Sequence, residues 1–241
     1  MTDPGRDKKI TLNISDMSIE VCKKRIKNMH LYVKPPNGKV TVSAPLSMRD
    51  EAVERFVRAK LGWVKRQIAK FDAQARQSER EHVSGETLQV WGKPYALRTG
   101  HGNHYALVLS GDQALLTVRR ESTAAHRESF IREWLRGQLK AEVARLLPKW
   151  EQKTGLACAG WQTKHMVTRW GTCNTRTRKI WLNLQLAKQT PECLEYVILH
   201  ELAHLAEKKH NERFASLMDR HMPIWREVKA TLNRQILDPM K

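Results

Sequence analysis

The chain has 241 residues, 41% of them hydrophobic, which is enough for a sizeable core and too many for a disordered chain. Lys and Arg number 43 against 25 Asp and Glu, a formal net charge of +18. No apolar run approaches the roughly 18 residues of a membrane-spanning helix, and the charged start Met1-Thr2-Asp3-Pro4-Gly5-Arg6 lacks the apolar stretch of a secretory leader.

The expected compartment is therefore the cytoplasm. The four cysteines, Cys22, Cys158, Cys173 and Cys193, form no C-x-x-C pair and are read as reduced thiols. In chain order, Ile10-Thr11-Leu12-Asn13-Ile14 alternates with the period of a strand. Leu31-Tyr32-Val33 and Val40-Thr41-Val42 flank Pro35-Pro36-Asn37-Gly38, which is turn chemistry. Ser47-Met48-Arg49-Asp50 opens a helix on which Val53, Phe56, Val57, Leu61, Val64, Ile68 and Phe71 keep helical spacing to about residue 75. Residues 73–82 are polar and read as a helix end and loop.

Strand patterns resume at 88–91, 95–97, 105–109 and 114–118. A second long helix is expected from about residue 122 to 150, on Phe130, Trp134, Leu135, Leu139, Val143, Leu146, Leu147 and Trp150, with Pro148 ending or tightening it. Residues 166–173 and 179–184 read as two strands joined by a polar turn. Strands followed by helices predict an α+β fold. A division near residue 120 separates a basic, β-rich part with one long helix (1–120) from the part that carries the chemistry (121–241).

The charge is concentrated early: residues 1–80 hold 18 Lys/Arg and 9 Asp/Glu. Lys23-Lys24-Arg25 with Lys27 is the densest cluster, and Arg55, Arg58, Lys65 and Arg66 lie on the first predicted helix. Such a surface attracts a polyanion such as nucleic acid; the plainer alternative is a solvated basic face that keeps the protein soluble. No zinc-finger spacing, RNA-recognition signature or Gly-rich phosphate loop is present.

One segment, residues 190–205, outweighs the rest. Thr190 suits a helix cap, Pro191 the first helical position and Glu192 the positive end of the dipole. Leu194, Ile198, Leu202 and Leu205 form an apolar stripe, with His200 and His204 one turn apart beside it. Imidazoles at i and i+4 have Cβ atoms about 5–6 Å apart and can converge on one ion. Glu201 points about 100° around the helix from His200, beside such an ion, where a general base for water belongs. With 10 His and 17 Glu in the chain, a chance H-E-x-x-H is expected roughly 0.03 times, so the match favours the motif over two hydrogen-bonded core histidines.

A catalytic zinc site takes a third protein ligand. His210 is the first candidate, with Glu207, Glu212, His221 and Glu227 as alternatives. On an unbroken helix His210 would be rotated about 240° from His204 and about 9 Å along the axis. It reaches the ion only if the helix breaks near 207–209. Lys208 and Lys209 suit a helix end, Asn211 can cap a new helix, and Phe214, Leu217 and Met218 restart an apolar face. The spacing equals that of H-E-x-x-H-x-x-G-x-x-H, but Glu207 stands in place of the glycine.

Tyr196-Val197-Ile198-Leu199-His200-Glu201-Leu202-Ala203-His204-Leu205, His210, Phe214, Pro223 and Trp225 resemble the YgjP-like metallopeptidases, as do Arg169-Trp170-Gly171-Thr172-Cys173 and Ile180-Trp181-Leu182-Asn183. These are minimal zincins related to the SprT-like and WLM groups. The likeness is strong over 165–235 and weaker over about 25–98, through Ala44-Pro45, the helix around Trp63 and Gly92-Lys93-Pro94-Tyr95. It implies a zincin-like core of strands packed on the active-site helix, His200, His204 and His210 as zinc ligands, and Glu201 as catalytic acid/base. It also places the strand at 169–173 beside that helix, with Cys173 packing there rather than binding metal.

The expected function is a zinc-dependent peptidase in which Glu201 moves the proton of a zinc-activated water, acting on protein or peptide substrates. Arg169, Trp170 and Tyr196 are candidate substrate contacts, and Tyr196, His165 and Arg169 candidate oxyanion donors. Action on proteins at DNA follows by analogy with the related groups. The competing reading is a basic nucleic-acid-associated module with a structural or vestigial zinc site. Glu201 favours the enzyme, because a purely structural site does not need it. Nothing in the sequence defines an oligomeric state.

Overall fold

Ile10, Leu12 and Ile14 share one face of strand β1 (Lys8–Ile14), and that face sets the first half of the fold. The computed structural model describes residues 8–34, 38–75, 80–166 and 168–234. The chain divides into two units, Met1–Glu79 and Arg80–Lys241. The boundary lies at Glu79/Arg80 rather than near residue 120, because the strands at 87–118 share one apolar core with the helices and strands that follow.

In the first unit β1 forms a hairpin with β2 (Met17–Lys24); β3 (His30–Lys34) and β4 (Lys39–Pro45) complete a sheet of order β1-β2-β4-β3, with β2 and β4 parallel. The register sets Ile10 opposite Val21, Leu12 opposite Ile19, and Val42 between Val21 and Leu31. Val53 and Val57 of α1 (Asp50–Arg58) and Val64 of α2 (Leu61–Ala75) bury themselves against that row. The single predicted helix is thus two, separated by a turn at Ala59 and Lys60 whose backbone bonds run to Arg55 and Val57. Arg49 sits at the cap position of α1 without a side-chain capping bond, and Asp50 in the first turn pairs with Lys23 at 2.5 Å. Of the predicted turn, Pro35, Pro36 and Asn37 lie outside the described residues, as do the side chain of Phe71 and residues 76–79 of the polar stretch.

In the second unit β5 (Thr87–Val90), β6 (Lys93–His101), β7 (Ala106–Ser110) and β8 (Gln113–Val118) form a sheet of order β5-β6-β8-β7. Helix α3 (Ala124–Thr154) lays Ile131, Leu135, Leu139, Val143, Leu146, Leu147 and Trp150 into the core. It continues through Pro148 instead of ending there. Proline removes one backbone donor, but Ala144 and Pro148 both face solvent, while buried Leu147 and Trp150 on either side hold the helix in place.

A second sheet, β10-β11-β9, comprises β9 (Gly160–Lys164), β10 (Gly171–Asn174) and β11 (Lys179–Asn183). The strand predicted over 166–173 is β10, which starts only at Gly171; Val167 lies outside the described residues. A 3-10 turn (Leu184–Lys188) then leads to α4 (Pro191–Ala203), α5 (Glu212–His221) and α6 (Trp225–Arg234). The class is α+β, as expected. Among the described residues no helix is long and apolar enough to cross a membrane.

Candidate metal centre

Helix α4 is enclosed by its neighbours: Leu194, Ile198, Leu199 and Leu202 are at most 1% exposed. Burying each such side chain contributes about 1.5–3 kcal/mol, so the frame under the site is rigid. Its start is fixed by Gly92, whose φ of +77° suits glycine and where a Cβ would lie 2.6 Å from Thr190 Cγ2. Thr190 is extended, but its side chain makes no capping bond and its hydroxyl points to Cys193 Sγ at 3.6 Å. Pro191 takes the first helical position.

His200 and His204 emerge from one face of α4 and the turn that continues it. The chain then reverses through residues 204–211 without a positive φ. Asn211 caps α5 by accepting from the Phe214 N–H at 3.1 Å, and this reversal returns His210 to the two α4 imidazoles. The three ring centroids are 4.8–4.9 Å apart, and their ligand nitrogens all lie within 4.8 Å of one another. His210 Nε2 is 3.1 Å from His200 Nε2. Phe214 stands 4.8–5.0 Å from all three rings. Among the described residues no other three His, Cys, Asp or Glu side chains converge in this way. Glu212 and Glu227 are exposed on α5 and α6, His221 ends α5, and Glu207 contributes its carbonyl, which faces His204 Nδ1 at 3.1 Å.

The electrostatics suit a cation. Burial pushes the His200 imidazole down to about 3, with His204, His210 and Lys229 adding in the same direction. Burial likewise lowers His210. Neutral imidazoles keep the lone pair that ligation needs. When His204 Nδ1–H donates to the Glu207 carbonyl, its Nε2 is left as the acceptor atom.

Glu201 is 4% exposed, and its Oε2 is buried with no hydrogen-bond partner. Burial raises its pKa to about 8, against the opposing charge of Arg169. An orphaned buried carboxyl oxygen on the residue after His200, with three imidazoles converging, fits a site for a dication and a water. Strand β10 closes over it: a Cβ on Gly171 would lie 2.6 Å from Glu201 Oε1 and 2.8 Å from Val197 Cγ1. Only a residue without a side chain lets the strand approach so closely.

Arg169 is exposed and Trp170 half-buried, just before β10. Tyr196 is 5% exposed, one turn before His200, with its hydroxyl 3.4 Å from His200 Nδ1 and its ring stacked on Trp225. His165 lies 3.3 Å from Gln185 Nε2. Cys173 packs half-buried against the core, and burial, helped by the Glu201 charge, pushes its thiol up to about 11.

Gly171 and Asn183 also build this site; both lie in the motifs that carry the family resemblance, but neither is assigned a role from the sequence. Fully buried Asn183 donates through Nδ2 to the Met166 and Arg169 carbonyls at 2.7 Å and accepts the Met166 and Gln185 N–H groups at 3.3 and 3.2 Å. It thereby holds the chain entering β10. Its signal in the sequence is a polar residue that closes the apolar run Ile180-Trp181-Leu182 within that motif.

Residues 27–235 match the YgjP-like metallopeptidase domain, and the chain belongs to that family. The metallopeptidase zymogen abylysin of Pyrococcus abyssi is 18% identical, over 41% of this chain and 99% of its own, with a TM-score of 0.37. The metallopeptidase zymogen jannalysin of Methanocaldococcus jannaschii is also 18% identical, over 38% and 94%, with a TM-score of 0.35. No curated protein matches the chain.

Proposed function

We propose that this metallopeptidase hydrolyses peptide bonds by the HExxH…H route, with zinc held by His200, His204 and His210 and with Glu201 as acid and base. The observation that carries the reading is the buried, partnerless oxygen of Glu201, which follows His200 in the chain, together with the converging imidazoles of His200, His204 and His210. Zinc, when bound, supplies a Lewis acid that makes water acidic near neutral pH and polarises the scissile carbonyl.

Glu201 accepts the water proton as the oxygen attacks the carbonyl carbon, and returns it to the nitrogen as the C–N bond breaks. Burial supports this role, since it makes the carboxylate a stronger base than one in water. Gly171 excludes a side chain from the space beside Glu201. Tyr196 is buried at His200 Nδ1, which supports orientation of that ring over contact with substrate. The exposure of Arg169 beside β10 supports substrate contact by that residue, while Trp170 is half-buried against the core.

Glu201→Gln is the direct test. Peptide cleavage should fall by about 10² or more while zinc content stays at wild-type level. Full activity in that variant removes the assigned role.

A further inference from the structure

The first unit has a second face that the metal centre does not use. Because side chains alternate along a strand, the sheet β1-β2-β4-β3 turns its apolar row to α1 and α2 and its other row away from them. That other row contains Lys9, Thr11 and Asn13 of β1, Ser18, Glu20, Cys22 and Lys24 of β2, Lys39, Thr41 and Ser43 of β4, and His30 and Tyr32 of β3. Lys9, His30, Tyr32 and Lys39 are exposed, Tyr32 by 48%. The register sets Lys9 beside Cys22, Cys22 beside Ser43, and Ser43 beside His30, so cations and rings lie across the full width of the sheet.

Two features separate this face from an ordinary solvated sheet surface. First, the His30 and Tyr32 rings are stacked, with centroids 6.3 Å apart and planes at 25°, and both are open to solvent. Second, Glu20, the only carboxylate on the face among the described residues, is neutralised: it accepts from Lys39 Nζ at 3.0 Å, and Lys39 and Lys9 hold its pKa below the usual range. Lys9 and Lys24 therefore leave the face positive, and exposed Arg25 and Lys27 extend it past the end of β2.

We propose that this open face binds single-stranded nucleic acid, with a base stacked on the Tyr32–His30 pair and phosphates on Lys9, Lys24 and the Arg25–Lys27 loop. An exposed ring pair on a positive sheet is a stacking platform with a backbone track, which suits unpaired bases and not a duplex whose bases are already stacked. The inference does not rest on the metal centre.

The test is fluorescence anisotropy of the full-length protein with labelled dT20 and U20, and with a 20-base-pair duplex, across a salt series. The two single strands separate DNA from RNA preference, and saturable binding of either supports the proposal. Removing the ring under one stacked base should weaken binding about five-fold or more, so Tyr32→Ala should show that loss while Tyr32→Phe binds as the wild type does. Lys9→Ala/Lys24→Ala should flatten the salt slope by about 1.4, at roughly 0.7 for each phosphate no longer neutralised.

A control of equal charge outside this unit, Lys140→Ala/Lys179→Ala, should leave the affinity almost unchanged. Melting curves check that each variant is folded. No binding at low salt, tighter binding of the duplex, or equal weakening in the face and control variants would overturn the proposal.

Discussion

Glu201 is a carboxylate kept out of water with one oxygen unpartnered, an arrangement that works against folding when it is ionised. Its folded pKa of about 8 lies above the ordinary 4.5, so the metal-free fold prefers the protonated form. That contribution is complete below pH 4.5 and is lost as the pH rises through about 8. His200 has the opposite sign: its stability is present above 6.5 and falls away toward about 3. The two overlap, but a Glu201→Gln comparison cancels the histidine. In chelator-treated protein the substitution should stabilise more at pH 8.5 than at pH 4.5, read by urea unfolding. Equal effects at both pH values would show that Glu201 does not titrate in the buried state. Gly171→Ala addresses the same carboxylate by sterics. Its Cβ would meet Oε1 at 2.6 Å, so kcat should fall at least ten-fold with bound zinc retained. Unchanged kcat would mean that the carboxylate needs no such room.

At the level of elements, the turn between α4 and α5 determines whether three histidines meet. Asn211→Ala removes the cap of α5, which costs about 1 kcal/mol. Because the same residue follows His210, zinc should also dissociate more readily, measured by competition with a chromophoric chelator. Unaltered zinc release would separate the cap from the third ligand. These parts are legible because they are local: H-E-x-x-H spacing, a Lys-Lys end and an Asn cap are all read within a dozen residues.

What escapes the sequence is non-local. Gly171 matters because a strand thirty residues earlier in the chain lies on Glu201, and no spacing rule reports that. Strand β9 carries a single large apolar residue, Trp161, and is extended because it pairs in parallel with β11. Strand β2 ends in Lys23-Lys24, part of a basic cluster that reads as surface, yet Lys23 is largely buried between Asp50 and the Met48 carbonyl. Pro148 signals a helix end locally but is overridden by the burial of Leu147 and Trp150 around it.

For the whole molecule, each unit has its own apolar core, and the three histidines belong to the second. Zinc binding to the folded state alone should stabilise the full chain, by about 4 kcal/mol at a thousand-fold excess over its Kd. A chelator should therefore lower Tm in the wild type and leave His204→Ala unaffected. A wild-type Tm indifferent to chelator would argue against a site formed only on folding.

The three imidazoles should hold zinc for a reaction run by Glu201. The most direct measurement is zinc per chain by elemental analysis, on wild type, His204→Ala and Glu201→Gln purified without chelator. Close to one zinc is expected in the wild type and in Glu201→Gln, and almost none in His204→Ala. A wild type that stays empty after reloading, or a His204→Ala protein that keeps its zinc, would contradict that expectation.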